Sequence, residues 1–296
     1  MMRLMSFGAP GAWRGGLEID GEVFDLAAVT AAIGWETPVG SVRALLDHGI
    51  PDGLEAQVLG KRESLAAQGH VDALESLHIG PPIPDPEKII CIGLNYHDHA
   101  EEVGAQPPSA PIFFAKYANS LVGSTDTIIP PLDTEKVDYE AELAVVIGKS
   151  GRYIEVADAL DHVAGAMVLN DVSARDLQLA NQLWTGGKAI DTFAPCGPSI
   201  TLMDDINDLM NLRVQARVGG ETLQDGNTKN MIFGVAECIS FLSRIMTLRP
   251  GDIIATGTPA GVAAAHDPAR WLVEGDVVEV EIEGLGILRN PVGAKG

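Results

Sequence analysis

A β-rich α+β fold is the class this chain predicts, and three observations carry the prediction. Strand-like apolar runs outnumber helical ones, and they follow one another without the regular strand–helix–strand rhythm of a doubly wound sheet. The 33 glycines and 18 prolines supply the turns that so many short strands need. At 296 residues the chain has room for a substantial core, and one large unit plus a small one is the expected division.

The elements follow in order. Residues 1–80 contain short apolar stretches such as GGLEIDGEVFDLAAV and a helix near Val42 to Leu46, read together as a small N-terminal α/β domain. The segment GPPIPDPEK then places four prolines between Pro81 and Pro86. Such a run is stiff and continues neither a helix nor a central strand, so the domain boundary falls there and a second domain occupies 86–296. Strands are expected at KIICIG, PIFFAKY and VDYEAELAVVIG, and a short helix at Val156 to Asp161 leads into the extended HVAGAMVLNDV. Helices are expected over Ala174 to Leu183 and over Phe233 to Met246. The stretches PGDIIATGTPAGV and EGDVVEVEIEGLGILRNPV close the chain as strands bounded by Gly-Asp and Gly-rich turns. No internal repeat is present.

A net charge of −21 argues against nucleic acid and anionic membranes as partners, because both require a cationic surface. No segment is long and apolar enough to span a membrane, and MMRLMSFGAP lacks the apolar centre of a secretory signal. Cys91, Cys196 and Cys238 are odd in number, far apart and without zinc spacing, which points to a reducing, cytoplasmic setting rather than a disulfide framework. If the ligand is an anion, the few basic residues near the site must overcome a repulsive background, so lysines and arginines within motifs carry more information than acids.

Chemistry concentrates in a few stretches. In Val137 to Gly148, read as one strand, Asp138, Glu140 and Glu142 share a face that continues into Ala144 and Val146. VVEVEIEG repeats the spacing with Glu279, Glu281 and Glu283, but there the alternation stays regular, as on a strand with one wet face. The run into Ala144 and Val146 places Glu140 and Glu142 at a cleft. Two carboxylates about 4 Å apart repel by roughly 4 kcal/mol at an effective dielectric near 20. A divalent cation turns that repulsion into ligation, and without one a pKa rises. Asp171, at the end of the apolar run Ala164 to Leu169, is a third oxygen donor or, on local grounds, a helix N-cap. An all-oxygen set favours Mg²⁺, Mn²⁺ or Ca²⁺ over Zn²⁺. Arg175 lies where it can pair with such an acid or with a substrate carboxylate.

In GLNYHDHAEE, a helix beginning after Asn95 brings His99 and Glu102 together at i, i+3, the arrangement of a general base held by a carboxylate. His97 and His99 as a metal pair, or as plain surface histidines, are the alternatives. Lys188 follows a diglycine in WTGGKAIDTFAPCGP, yet the phosphate-loop pattern is absent. ATGTPAGV, Ala255 to Val262, offers backbone N–H groups and Thr258 to an anion, or is a plain hairpin turn.

Taken together, the runs IGLNYHDHAEE, PIFFAKYANSLVG, VDYEAELAVVIGK, LNDVSARDLQ, GKAIDTFAPCGP, MIFGVAECISFLSRIMTLRPGDIIATGTPAGV and EGDVVEVEIEGLGILRNPV resemble, in order, the fumarylacetoacetate hydrolase family. The likeness extends from about Pro86 to Val292, and residues 1–80 resemble the small N-terminal domain of its longer members. It implies a mixed β-sandwich roll, a homodimer and one divalent metal, Mg²⁺ or Mn²⁺, with Ca²⁺ the alternative. Position by position it puts Glu140, Glu142 and Asp171 on the metal ligands, His99 and Glu102 on a water-activating dyad, and Lys188 near the metal. Thr258 falls on a substrate-carboxylate contact, and Lys116 and Arg175 on basic positions lining the site. Asp138 matches no ligand position and is expected at the rim. Leu94 stands where acylpyruvate-type hydrolases often carry arginine, and Ala189 and Ile190 replace a common Ser-Phe pair.

The activity so implied is metal-dependent hydrolysis of a C–C bond in a 2,4-diketo acid, releasing pyruvate or a related 2-oxo acid. Decarboxylation or isomerisation of 2-oxo acids is the alternative within the family. A non-enzymatic, Ca²⁺-stabilised binding protein is the alternative of another class, and it leaves Lys188, Arg175 and His99 idle.

Overall fold

The computed structural model describes residues 1–296. The N-terminal part contains β1 (Met2–Ala9), β2 (Ala12–Ile19), β3 (Glu22–Asp25), helices α1 (Leu26–Ala32), α2 (Val42–His48), α3 (Leu54–Leu59) and α4 (Arg62–Ala67), then β4 (Val71–Ala73) and β5 (Ile79–Gly80). After the prolines come β6 (Ile89–Gly93), α5 (His97–Glu102), β7 (Ile112–Lys116), β8 (Leu121–Val122), β9 (Val137–Asp138) and β10 (Ala141–Ile147). Next are β11 (Val163–Asn170), β12 (Ser173–Ala174), α6 (Arg175–Gln178), α7 (Thr185–Lys188) and β13 (Ala194–Leu202). The chain ends with β14 (Arg213–Val218), β15 (Glu221–Asn227), α8 (Val235–Ile245), β16 (Ile253–Ala255), β17 (Val277–Ile282) and β18 (Gly286–Pro291).

The fold is α+β and sheet-rich, as the strand-like runs require. A twelve-stranded sheet runs β4-β3-β2-β1-β13-β11-β10-β16-β6-β7, with β5 beside β1 and β8 beside β13; a four-stranded sheet runs β15-β14-β17-β18. Strand β1 hydrogen-bonds to β13, so the large sheet draws strands from both sides of the proline run.

Strand β10 occupies the middle of this sheet and is buried on both faces. Leu143, Val145 and Ile147 enter the core shared with the small sheet and α8, where they meet residues such as Val214, Val280 and Leu242. Ala144 and Val146 enter a second core beneath the N-terminal helices, with Leu26, Val42 and Leu45. A strand covered on both sides has no wet face, which explains why the acidic side of the sequence pattern passes into apolar residues.

Three expectations change. Val137 to Gly148 is two strands, β9 and β10, because Val137 and Asp138 leave the large sheet to pair with Ala174 and Ser173 of β12. The helix expected over Ala174 to Leu183 ends after one turn. Asn181 Oδ1 accepts from the Leu183 N–H at 2.7 Å, a local side-chain bond that competes with helical continuation. The chain then re-enters a helix as α7, which packs so closely on α6 that a Cβ at Gly187 would lie 2.4 Å from the Gln178 nitrogen. Only glycine fits there, and the next residue is Lys188. Val156–His162 is a 3₁₀ helix, whereas α8 falls within the expected Phe233 to Met246.

Candidate active site

The carboxylate-bearing end of β10 projects beyond the end of β16, which pairs only with Ala144 to Val146. There Glu140, Glu142 and Asp171 each offer an oxygen, all within 4.8 Å of one another, and all three side chains are buried. Asp171 follows β11, the partner of β10 in the sheet, and its N–H donates to the Glu140 carbonyl at 2.9 Å.

Three cations enter this cluster. Lys188 Nζ bridges Glu140 Oε2 at 2.7 Å and Asp171 Oδ2 at 2.8 Å, and stands 5.1 Å above the Phe114 ring. Lys116 Nζ donates to Asp171 Oδ1 and, at 3.0 Å, to the Val172 carbonyl. Arg175 binds Asp138 Oδ2 at 2.7 Å, Glu140 Oε1 at 2.6 Å and Gln178 Oε1 at 3.0 Å. Asp138, expected at the rim, is fully buried: it also accepts from the N–H groups of Ala263 at 2.6 Å and Ala264 at 3.2 Å. Its role is to hold Arg175. The signal was its shared face with Glu140 and Glu142, which a strand break at Tyr139 preserves.

Four carboxylates therefore meet three cations, and the unmatched one is Glu142. Its only internal partner is the Gly257 N–H, at 2.9 Å. Burial, then the charges of Asp171 and Glu140, push its pKa well above the usual range. Burial works in the same direction on Glu140, but Lys188 and Arg175 outweigh it and hold the group at about 2. Lys188 is itself opposed by burial, yet Asp171 and Glu140 raise its pKa and keep it charged. A divalent cation fits this donor set: it is all oxygen, and it lacks a positive charge at Glu142.

The expected dyad is assembled on α5. His99 Nδ1 lies 3.1 Å from Glu102 Oε2, and Glu102 Oε1 accepts from the Gly261 N–H at 2.7 Å. With Glu102 accepting from Nδ1–H, Nε2 carries the free lone pair. His97 is exposed and groups with no other ligand-type side chains, so the two-histidine metal pair is not formed. Gly261 has φ +102°, and a Cβ there would lie 2.0 Å from the Leu223 carbonyl oxygen, so the turn that reaches Glu102 requires glycine.

Thr258 is buried beside the cluster, but its hydroxyl is spent internally. It donates to the Ala141 carbonyl at 3.0 Å and accepts from Gln224 Nε2 at 2.8 Å. The Thr258 hydroxyl therefore has no proton left to offer the cavity. The segment 257–264 thus supplies main-chain N–H groups to Glu142, Glu102 and Asp138 together, a contribution that side-chain motifs do not reveal.

Part of this assembly opens onto a cavity of about 310 Å³ whose wall includes His99, Glu140, Glu142, Arg175, Lys188 and Thr258, with Leu94, Phe114, Leu179 and Trp184 among its apolar residues. That volume is at the small end of ligand pockets, which suits a small acid. A larger cavity, about 520 Å³, lies between the N-terminal helices and the sheet; its acids do not come together as a ligand group.

A mixed sheet that brings an acidic oxygen triad beside a His–Glu pair defines a class of fold and site, sheet-rich α+β chains with a cluster able to hold a divalent ion. The sequence agrees: residues 88–293 match the fumarylacetoacetate (FAA) hydrolase C-terminal family, and the chain belongs to the fumarylacetoacetate hydrolase family. It is 45% identical over 240 residues to the oxaloacetate tautomerase FAHD2A, mitochondrial, of Bos taurus, covering 80% of this chain and 76% of that one. A fumarylacetoacetate hydrolase structure from Exiguobacterium antarcticum superposes with TM-score 0.83 at 36% identity, covering 100% of both chains. The maleylpyruvate hydrolase of Sphingobium sp. SYK-6, solved with manganese(II) ion and pyruvate, gives TM-score 0.79 at 31% identity over 100% of both chains. No helix of the protein is long and apolar enough to cross a membrane.

Proposed function

We propose that this chain is a divalent-metal-dependent enzyme that moves a proton at the carbon next to the oxo group of a small 2-oxo acid, interconverting keto and enol forms of an oxaloacetate-class substrate. The observation that carries the reading is that His99, paired with Glu102, lines the same cavity as Glu140 and Glu142 of the oxygen triad. The likeness to oxaloacetate tautomerases supports it. This shifts the weight from the hydrolysis expected above, since tautomerisation needs the base and the enolate but no attacking water.

Glu140, Glu142 and Asp171 would hold the metal, Mg²⁺ or Mn²⁺, which when bound polarises the 2-oxo oxygen. Glu102 would fix the His99 tautomer, so that Nε2 takes the proton from carbon 3 as the C–H bond breaks and returns it to the oxo oxygen as the enol O–H forms, which leaves His99 neutral again. Lys188, held charged between Glu140 and Asp171, adds positive potential where negative charge develops. The Arg175 guanidinium and the Thr258 N–H offer donors to the substrate carboxylate. The walls of Leu94, Phe114, Leu179 and Trp184 limit water.

The test follows the decay of enol absorbance of oxaloacetate with Mn²⁺ present. Acceleration by the parent, reduced about 100-fold or more in His99→Ala, is expected. Equal rates in parent and variant would overturn the dyad assignment. Hydrolysis of a 2,4-diketo acid is the second reading, favoured by the maleylpyruvate hydrolase likeness and by the same dyad, which serves equally to deprotonate water. Products separate the readings: unchanged mass means tautomerisation, pyruvate plus a second acid means hydrolysis, and CO₂ means decarboxylation. A chain that Mn²⁺ or Ca²⁺ stabilises but no oxo acid stabilises further is a binding protein. The homodimer belongs to the same proposal and is read from mass in solution. The cytoplasmic setting rests on the free, buried cysteines, whereas the Bos taurus relative is described as mitochondrial.

A further inference from the structure

Gln224 lies on β15 of the small sheet, outside every motif that carries chemistry, and it is completely buried. Its side-chain amide is fully used. Oε1 accepts from the Ala141 N–H at 2.9 Å, while Nε2 donates to Thr258 Oγ1 at 2.8 Å and to the Pro259 carbonyl at 2.8 Å. The Thr258 hydroxyl then donates to the Ala141 carbonyl at 3.0 Å. The three residues form a closed ring, Ala141 N–H to Gln224, Gln224 to Thr258, and Thr258 back to Ala141 C=O.

The position of that ring matters. Ala141 separates Glu140 from Glu142, and it faces Asn170 on β11 across the sheet. On its other side β16 begins pairing only at Ala144, so the Ala141 N–H and C=O have no strand to bond. Two side chains replace the missing strand. They fix the peptide planes on both sides of Ala141, and those planes set how the Glu140 and Glu142 side chains leave the backbone. Because Gln224 supplies donors, Thr258 Oγ1 must accept from it and give its proton to Ala141.

We propose that Gln224 is a positioning residue for the metal centre, acting through Thr258 and Ala141, and that the Thr258 hydroxyl serves this ring rather than the substrate. The proposal rests on Glu140 and Glu142 being metal ligands, but not on which 2-oxo acid the enzyme takes. Outer groups that orient ligands typically change metal affinity by about 10–100-fold when removed. Gln224→Met and Thr258→Val each open the ring at nearly constant volume, and they should weaken it through the same broken element.

Mn²⁺ titration of the substrate-free protein by calorimetry tests this, with melting temperatures recorded alongside. Gln224→Met and Thr258→Val should each raise the Mn²⁺ Kd about tenfold, and the double variant should be little worse than either. Thr258→Ser, which restores the hydroxyl, should recover the affinity. Should Gln224→Met lower the melting temperature yet hold Kd within twofold of the parent, the role is structural and the proposal fails. It fails equally if Thr258→Val raises KM for the oxo acid with Kd unchanged, since the hydroxyl then serves substrate. Independent, additive effects on Kd would also overturn it. A parent chain that binds no Mn²⁺ would bring down the metal centre itself and this proposal with it, whereas a binding parent with unaltered variants sinks only the claim about Gln224.

Discussion

The start of β10, with Glu140 just before it and Glu142 within it, and β17, with Glu279 and Glu281, carry glutamates at the same spacing, and their surroundings make them different objects. On β17, Glu279 faces Arg217 on one neighbouring strand and Arg289 on the other. Arg217 reaches Glu279 at 2.9 Å and Glu281 at 2.6 Å, and the Glu281 side chain stays 44% exposed. The hydrogen bond from Arg217 lowers the Glu279 pKa, and each charge is met at the surface. At the start of β10, by contrast, Glu142 is 1% exposed and its charged neighbours include two further carboxylates. Identical spacing gives a solvated ladder of ion pairs in one place and an acidic cluster short of one cation in the other. What separates them is which strands lie alongside and whether water reaches the carboxylates.

The two sites should differ most in what the loss of one cation costs, and Lys188 is the cation to remove. Lys188→Met leaves Glu140 and Asp171 buried with one cation fewer, and breaking a buried pair from one side costs about 3–5 kcal/mol. Urea unfolding of the metal-free protein should show a loss of this size. A loss under about 1 kcal/mol would mean that the cluster is as well hydrated as β17.

Glu142→Gln should act with the opposite sign on the metal-free chain, because it removes the one carboxylate without a cation. Its melting temperature should equal or exceed the parent's, while Mn²⁺ affinity falls by more than about 100-fold, beyond the usual effect of outer groups. A lowered melting temperature with intact affinity would contradict the charge count.

The pH dependence sharpens the contrast further. Folded Glu142 keeps its proton above the usual glutamate value of 4.5, so the unfolded chain releases that proton first as pH rises. The stability it contributes is fully present below 4.5 and is lost as pH climbs toward the raised pKa. Glu140, held at about 2, works the other way: its contribution is present above 4.5 and is lost as pH falls toward about 2. Mn²⁺ bound at Glu142 would displace its proton, so affinity should rise with pH, with proton release visible by calorimetry in buffers of different ionisation enthalpy. Glu142→Gln should flatten that slope, and Glu281→Gln should leave it unchanged.

The smallest effect belongs to β17. Arg217→Met should cost about 1 kcal/mol or less, and salt should shrink the difference, because these pairs are partly exposed. A salt-independent loss of several kcal/mol would place β17 in the same class as β10.

Much of this was legible in the chain before folding. The alternation of VVEVEIEG described a strand with one wet side, and β17 is that strand. The order of the motif runs pointed to the family, and with it to the three oxygens and the dyad. The segment Ala174 to Leu183 misled, because its composition suits a helix while Asn181 caps the chain locally and α7 must fold back against α6. Asp138 was misplaced because its shared face with Glu140 and Glu142 does not name Arg175 as its partner, and Gln224 was missed because nothing near it in sequence states what it touches.

By itself, then, the sequence determined which residues could do chemistry and which runs could be strands, since both follow from side-chain type and local period. The tertiary structure decided the partnerships. Lys116 meets Asp171 across 55 positions, Gln224 meets Ala141 across 83, and Gly261 meets Glu102 across 159. Period fixes the side of a strand on which a residue lies, but the residue opposite depends on the order in which distant strands are laid together. That order left Asp138 locking an arginine and Glu142 without a cation, although the same spacing had made them alike.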